Sequence, residues 1–284
     1  MTEQKHIPVL LNAVLDALGD IQDKVVVDCT FGAGGYSRAF LSRGACVIAF
    51  DRDPNVRADA DALGQTFPGQ FTFVPQTFSH IADLDAPVDA IVFDLGISSM
   101  QIDVPMRGFS FRADAPLDMR MGQSGVTAAE LIEQKSVQEI AQILRNWGDV
   151  KKAPVLARAI KDKMPQTTFQ LRDLVHNPKD VAPVFQALRI AVNDEMGELE
   201  RALAAVPDLL VPGGKCVCVT FHSLEDRFVK NTFRDWTTAP GDPRLPTLAT
   251  APFVPIKAVV PDAAELAHNL RARSAHMRGV IKSC

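Results

Sequence analysis

Residues Val25-Val26-Val27-Asp28-Cys29-Thr30-Phe31-Gly32-Ala33-Gly34-Gly35-Tyr36-Ser37 constrain this chain more than any other stretch. A β-branched run ends in an acid and passes through a glycine-rich turn into a helix, the opening of a βα unit in an open parallel sheet. Glycine lets such a turn reach positive φ and lets the backbone approach a ligand closely. A dinucleotide fingerprint would need G-x-G-x-x-G, but counting from Gly32 the third glycine position is Ser37, so a pyrophosphate is poorly matched. The D-x-T-x-G-x-G-G form suits a neutral or zwitterionic ligand lying across the turn; a purely structural tight turn is the alternative.

The pattern continues through the first hundred residues. Strands are predicted at Val25–Asp28, Cys46–Asp51, Phe71–Pro75 and Ala90–Asp94, with helices after the first two, and Val9–Leu18 carries apolar residues at helical spacing. From residue 105 to 206 the strand signal vanishes. Helices are predicted over Ala128–Leu131, Val137–Trp147, Pro154–Lys161, Phe169–Leu174 and Phe185–Leu203. Strands return at Lys215–Phe221 after the turn Pro212-Gly213-Gly214, then at Val254–Val259 and Met277–Lys282, while Thr237–Pro255, with five prolines, reads as an irregular loop. The expected architecture is an α/β sheet domain formed by residues 1–104 and 207–284, interrupted by a helical domain over 105–206.

Composition narrows the function. With 284 residues, 47% hydrophobic and 23% charged, the chain is ordinary for a globular protein, and its net charge of −4 announces no global nucleic-acid-binding field. Any anionic partner must meet a local patch, and residues 145–189, with nine bases against four acids, are either such an RNA-facing patch or a solvated helical face. Five cysteines without a C-x-x-C pair argue against a zinc site or disulfide framework, and no cluster has convincing metal-ligand spacing. Neither a signal peptide nor a spanning segment is read, so a cytoplasmic protein is expected.

Candidate functional residues follow from strand ends, where open α/β sheets bind ligands. Asp51, after the second strand, is placed to accept both hydroxyls of a ribose; the alternative is that Asp51 or Asp53 caps the next helix. Phe78 offers a wall for an adenine ring; a core position is the alternative. Asp94, Ser98, Ser99 and Gln101 bring a carboxylate, two hydroxyls and an amide together after the fourth strand, a set that can orient an amine toward an electrophilic methyl group, or else cap a helix. In Arg107-Gly108-Phe109-Ser110-Phe111 and Asp118-Met119-Arg120, aromatic rings could stack on a base while Arg107 and Arg120 hold phosphates; a loop with core anchors is the alternative. His222, after the fifth strand, is a candidate substrate contact or a structural histidine.

Together, H-I-P-V-L-L from His6, D-x-T-F-G-A-G-G-Y-S, A-F-D-R-D-P, D-L-G-I-S-S-M-Q, R-G-F-S-F, P-L-D-M-R-M, F-Q-A-L-R-I-A-V-N-D-E, P-G-G and F-H-S-L-E-D-R-x-V-K resemble, in order across most of the chain, the bacterial small-subunit ribosomal RNA cytosine-N4 methyltransferase family (RsmH/MraW). The resemblance implies a class I, Rossmann-like S-adenosylmethionine-dependent methyltransferase with an inserted substrate-recognition domain. It implies methylation of a decoding-centre cytosine in 16S rRNA of the small subunit, with S-adenosyl-L-methionine as cofactor, and it admits a homodimer. Its cofactor contacts fall on Gly34, Gly35, Tyr36, Asp51, Phe78, Asp94 and Gln101. Asp94, Ser98, Asp118 and His222 are the catalytic candidates, and Arg107, Phe109, Arg120, Arg189, Arg271 and Arg273 the RNA-binding ones.

The chain departs from the family pattern at Trp147-Gly148-Asp149-Val150, where the family carries Tyr-Gly-Glu-Glu. It departs again at Lys179–Val184, in place of His-Pro-Ala-Thr-Arg, and at Asn269-Leu270-Arg271, in place of Asn-Pro-Arg. These changes motivate an alternative expectation, a catalytically impaired methyltransferase-fold factor acting in small-subunit assembly.

Overall fold

The computed structural model describes residues 8–239 and 250–284; the start of the His6-Ile7-Pro8 motif and residues 240–249 of the expected proline-rich loop lie outside the described residues. In chain order the elements are α1 (Leu11–Leu18), β1 (Val25–Asp28), α2 (Gly35–Leu41), β2 (Cys46–Phe50), α3 (Arg57–Thr66), β3 (Phe71–Val74), β4 (Val88–Asp94), α4 (Ser99–Asp103), α5 (Ala128–Gln134) and α6 (Val137–Gly148). They continue with α7 (Ala153–Lys163), α8 (Thr168–Leu174), α9 (Pro178–Asn193), α10 (Glu195–Leu209), β5 (Leu210–Thr220), α11 (Ser223–Trp236), β6 (Phe253–Val259), α12 (Ala263–His268) and β7 (His276–Lys282). The chain divides into two compact units, residues 1–96 with 198–284, and residues 97–197.

The first unit is built on one seven-stranded sheet in the order β3-β2-β1-β4-β5-β7-β6. Strands β3 to β5 are parallel, and β7 runs antiparallel to both β5 and β6. Val26, Val27, Ile91, Val92, Cys216, Val217 and Val219 are fully buried, as expected of strands covered on both faces. The strand order reverses direction between β1 and β4, so the ends carrying Asp28 and Asp94 flank the switch point where such sheets bind ligands.

Strand β5 begins five residues earlier than its apolar pattern predicts. Val88 pairs with Leu210 and Ala90 with Lys215, so the Pro212-Gly213-Gly214 turn forms a bulge inside the strand rather than a lead-in to it.

The second unit is helical. Leu117, Met119, Ile132, Ile140, Leu144, Ile160, Leu171 and Leu188 form its centre. Ser136 and Thr127 open α6 and α5 with complete capping boxes, which is why those helices start where the sequence places them. The predicted single helix Phe185–Leu203 is two helices. Asp194 adopts the left-handed region (φ 49°) and ends α9, while α9 itself starts earlier, at Pro178, and runs through Pro183. The early start follows from the Asn177 cap and Pro178 at the first position, signals that an apolar period does not register.

The unit boundaries differ from 105 and 206 for related reasons. Helix α4 falls in the second unit, and α10 crosses into the first at residue 198.

Candidate active site

Strand β1 delivers Asp28 to the start of the glycine turn. The side chain is 1% exposed; it accepts from Ser37 Oγ at 2.6 Å and from Thr30 N at 3.2 Å. Burial lifts its pKa to about 6, against the lowering effect of the Ser37 and Thr30 hydrogen bonds. Thr30 then reaches across, its Oγ1 accepting from Asp94 N at 2.8 Å. The D-x-T spacing thus ties the end of β1 to the end of β4, and Asp28, Thr30 and Ser37 are site-building residues to which the sequence reading gave no role.

In that turn Gly34 has φ 73° and precedes α2. A Cβ on Gly35 would overlap Pro8, so the glycine is required for the N-terminal segment to lie against the turn. Tyr36 is buried, and its hydroxyl donates to the Val9 carbonyl. That assigns its side chain to anchoring the same segment and leaves only its backbone for a ligand.

At the end of β2, Asp51 accepts from Gly32 N (Oδ2, 2.8 Å) and from Asp53 N (Oδ1, 2.8 Å). Burial raises its pKa, offset in part by those two backbone donors. Asp53 takes the capping task, accepting from Asn55 N at 3.0 Å. Phe78 is half-buried, with its ring edge-on to Phe93 at a centroid separation of 5.7 Å.

Asp94 is the most unusual group of the sheet unit. Its Oδ1 is closed off from solvent and has no hydrogen-bond partner among the described residues. Burial, then the charges of Asp28 and Glu225, push its pKa well above the usual carboxylate range. A carboxylate oxygen in that state costs free energy unless something cationic or donating meets it. Asp51 and Asp94, at the ends of β2 and β4, the two parallel strands that flank β1 and its glycine turn, could hold a cofactor that carries a ribose and a positive charge.

His222 stands at the start of the helix that follows β5. It is the N-cap of α11, with Nδ1 accepting from Glu225 N at 3.3 Å, which leaves the ring proton on Nε2, 3.0 Å from Glu225 Oε1. Glu225, 4% exposed, returns the contact by accepting from Phe221 N and His222 N. Nδ1 thus caps α11, while Nε2, like Asp94 Oδ1, is closed off from solvent and makes no well-formed hydrogen bond among the described residues.

The second unit redefines several other candidates. Ser98 and Gln101 form the capping box of α4, Ser98 Oγ accepting from Gln101 N at 3.3 Å and Gln101 Oε1 from Ser98 N at 3.1 Å. Asp118 is held by Arg120 through Nε (2.8 Å) and Nη2 (2.9 Å). Partial burial works against ionisation, but the Arg120 hydrogen bonds and charge outweigh it and keep the Asp118 pKa below its ordinary value. Asp118 is therefore a partner for Arg120, not a free base.

Arg107 donates through Nη2 to the carbonyls of Arg120 and Met121, and Phe109 belongs to the helical core at 8% exposure, so this loop takes the core-anchor alternative rather than offering a stacking face. Arg189 makes a two-point ion pair with Glu195 at 2.7 and 2.8 Å, both side chains being 11% exposed. Of the six expected RNA contacts, Arg271 and Arg273, in the first unit, are the fully exposed ones.

The family model of the MraW methylases matches residues 3–283. The chain belongs to the MraW methylase family. It is 46% identical over 296 residues to a "Ribosomal RNA small subunit methyltransferase H" of Chelativorans sp. (strain BNC1), covering 98% of this chain and 87% of that one. It is 47% identical over 303 residues to the protein of the same name from Rhodospirillum centenum, with 98% and 92% covered. The Rhizobium meliloti protein of that name is 43% identical over 300 residues, with 98% and 88% covered. An MraW methylase is a methyltransferase built on the sheet described above, and its resemblance in sequence now rests on the whole length of the chain.

Proposed function

We propose that this MraW methylase transfers a methyl group from S-adenosyl-L-methionine to the exocyclic N4 of a decoding-centre cytosine in 16S rRNA, acting in the cytoplasm on the small ribosomal subunit. The observation that carries the reading is the buried, unpartnered Oδ1 of Asp94 at the switch point of the sheet. It is supported by relatives, 43–47% identical, named as small-subunit rRNA methyltransferases.

The residues present fit the cofactor. Asp51 would hold the ribose, Phe78 would flank the adenine, Gly34, Gly35 and the Tyr36 backbone would line the methionine part, and Asp94 would face positive charge. Bound there, the cofactor supplies an electrophilic methyl on a cationic sulfonium. The rest of the task belongs to the chain. Cytosine N4 is a poor nucleophile because its lone pair is delocalised into the ring, so the base must leave its stack and the amine must be aimed. Asp94 can accept an N4–H, which fixes the amine's orientation and draws density toward the nitrogen. Because burial and the neighbouring acids raise its proton affinity, the Asp94 carboxylate is also a better acceptor for the proton released late in the reaction than an exposed aspartate would be.

The impaired-enzyme alternative has no support. The relatives that are 43–47% identical to the chain are named as methyltransferases, and of the departing residues Asp149 has a definite structural task, ending α6 in the left-handed region. Nucleoside mass spectrometry of small-subunit rRNA from cells with and without the gene tests the proposal. N4-methylated cytidine should vanish on deletion and return with the wild-type gene but not with Asp94→Asn; an unchanged mark in the deletion strain overturns it.

A further inference from the structure

A groove on the insert, apart from the sheet unit, lies among α5, α6 and the C-terminal part of α9, and encloses about 350 Å³. Leu131, Ile143 and Ile190 give it an apolar floor, the half-buried indole of Trp147 provides an aromatic wall, and the exposed amides of Gln142 and Asn146 line it one helical turn apart. The backbone under the indole is fixed, since Gln186 Nε2 donates to the Trp147 carbonyl at 3.0 Å. Lys135 and Glu139 on the same lining neutralise one another at 3.0 Å. Asp194 also lines the groove and Asp149 caps the end of α6, but bases outnumber these acids: Arg145, between the two amides on α6, and Lys151 and Lys152, just beyond its end, are exposed and enter no ion pair among the described residues.

We propose that this groove is an RNA-binding subsite that takes one unstacked nucleobase of a single-stranded segment. Each part has a chemical counterpart in such a ligand. An indole beside an aliphatic floor makes a slot for a flat, weakly polar ring, whose stacking is tolerant of base identity. Two carboxamides offer both donors and acceptors, which a base edge can use and an aliphatic side chain cannot. Unpaired arginine and lysines beside the slot complement the phosphates on either side of the base, in a chain whose overall charge is negative. The inference rests on the reading that RNA is the substrate, and it adds a contact that grips the substrate without touching the reacting base.

The two tryptophans make the test direct, because Trp236→Phe leaves Trp147 as the sole indole of the full-length protein. Titration of that variant with a 12-nucleotide single-stranded RNA of mixed sequence should quench its emission saturably, with the midpoint moving to weaker binding at higher salt. A base-paired RNA of the same length should quench less. In methylation of isolated small subunits by the otherwise wild-type protein, Trp147→Ala should raise KM about 5- to 100-fold with kcat unchanged, and Trp147→Phe should restore most of the affinity. Gln142→Ala, at an exposed position, should raise KM by a smaller factor and guards against misfolding of the tryptophan variant.

If the protein methylates subunits while RNA binding leaves Trp147 emission unchanged and neither variant moves KM, the subsite is wrong and the proposed function stands. Emission that responds to protein concentration but not to RNA would make the groove a protein interface and equally overturn it. Failure of the wild-type protein to bind or methylate any RNA would remove both readings together.

Discussion

In the sheet unit, Asp28 and Asp94 stand at strand ends with their proton affinities raised by burial, and one oxygen of Asp94 has nothing to bind within the described residues. In the insert, the comparable acids Asp118 and Glu195 each face an arginine through two hydrogen bonds, and the Asp118 pKa is held down rather than up. The contrast separates carboxylates kept in an unfavourable state, where a ligand can relieve it, from carboxylates used to tie a helical scaffold together. It teaches that residue type and surface expectation alone misassign the insert: Arg107, Arg120 and Arg189 look like phosphate contacts in the sequence, yet each is committed to neighbouring backbone or acid.

The sharpest way to break the contrast is Asp94→Asn. If the unpartnered oxygen is the group that orients the amine and takes its proton, turnover should fall by about 10²- to 10³-fold in single-turnover methylation of small subunits, with the fold retained. Activity within a few-fold of wild type would place Asp94 with the scaffold acids instead.

Asp28 tests the same side of the comparison through stability. Its folded pKa of about 6 lies above the ordinary 3.8, so the native state binds the extra proton and is favoured at low pH. Stability should fall by about 3 kcal/mol as pH rises from about 4 through 6, within whatever other groups contribute, and Asp28→Asn should flatten that part of the profile. Denaturant melts of both proteins across pH 4–8 measure it; parallel profiles would show that the burial of Asp28 is without thermodynamic consequence.

On the insert side, Asn193 joins Met121 N, the Met119 carbonyl and the Arg189 carbonyl at 2.7–2.9 Å. Asn193→Ala leaves these buried groups without their partner and should cost about 2 kcal/mol of stability, read in the same melts, with cofactor affinity unchanged. Arg271→Ala and Arg273→Ala should have the smallest effect on the fold, within about 0.5 kcal/mol. Each should lower the slope of log affinity for small-subunit RNA against log salt by about one, whereas Arg189→Ala should lower stability instead.

Much of this was legible without coordinates. The valine run, the glycine turn and the short β-branched runs sufficed to place the parallel strands along the chain, because strands buried on both faces read as near-continuous apolar runs. Asp51, Phe78 and Asp94 could be picked out by their positions just beyond strands, since strand ends are where such a sheet binds ligands. The residues that escaped were those whose role is a relation between distant segments. Nothing local distinguishes Thr30 as the acceptor for Asp94 N, 64 residues away.

The sequence by itself determined the sheet unit, the presence of a helical insert, and the family, since periodicity, turn chemistry and motif order are properties of the chain read along its length. Only the tertiary structure decided which polar residues are spent on holding that chain together and which are left for chemistry. Capping, ion pairing and burial depend on what lies opposite a side chain: they tied Ser98, Asp118, Arg107 and Arg189 to neighbouring groups and left Asp94 Oδ1 and His222 Nε2 buried without a hydrogen-bond partner among the described residues. The cost of removing a polar atom from water is set by its surroundings in the fold and not by its neighbours in sequence.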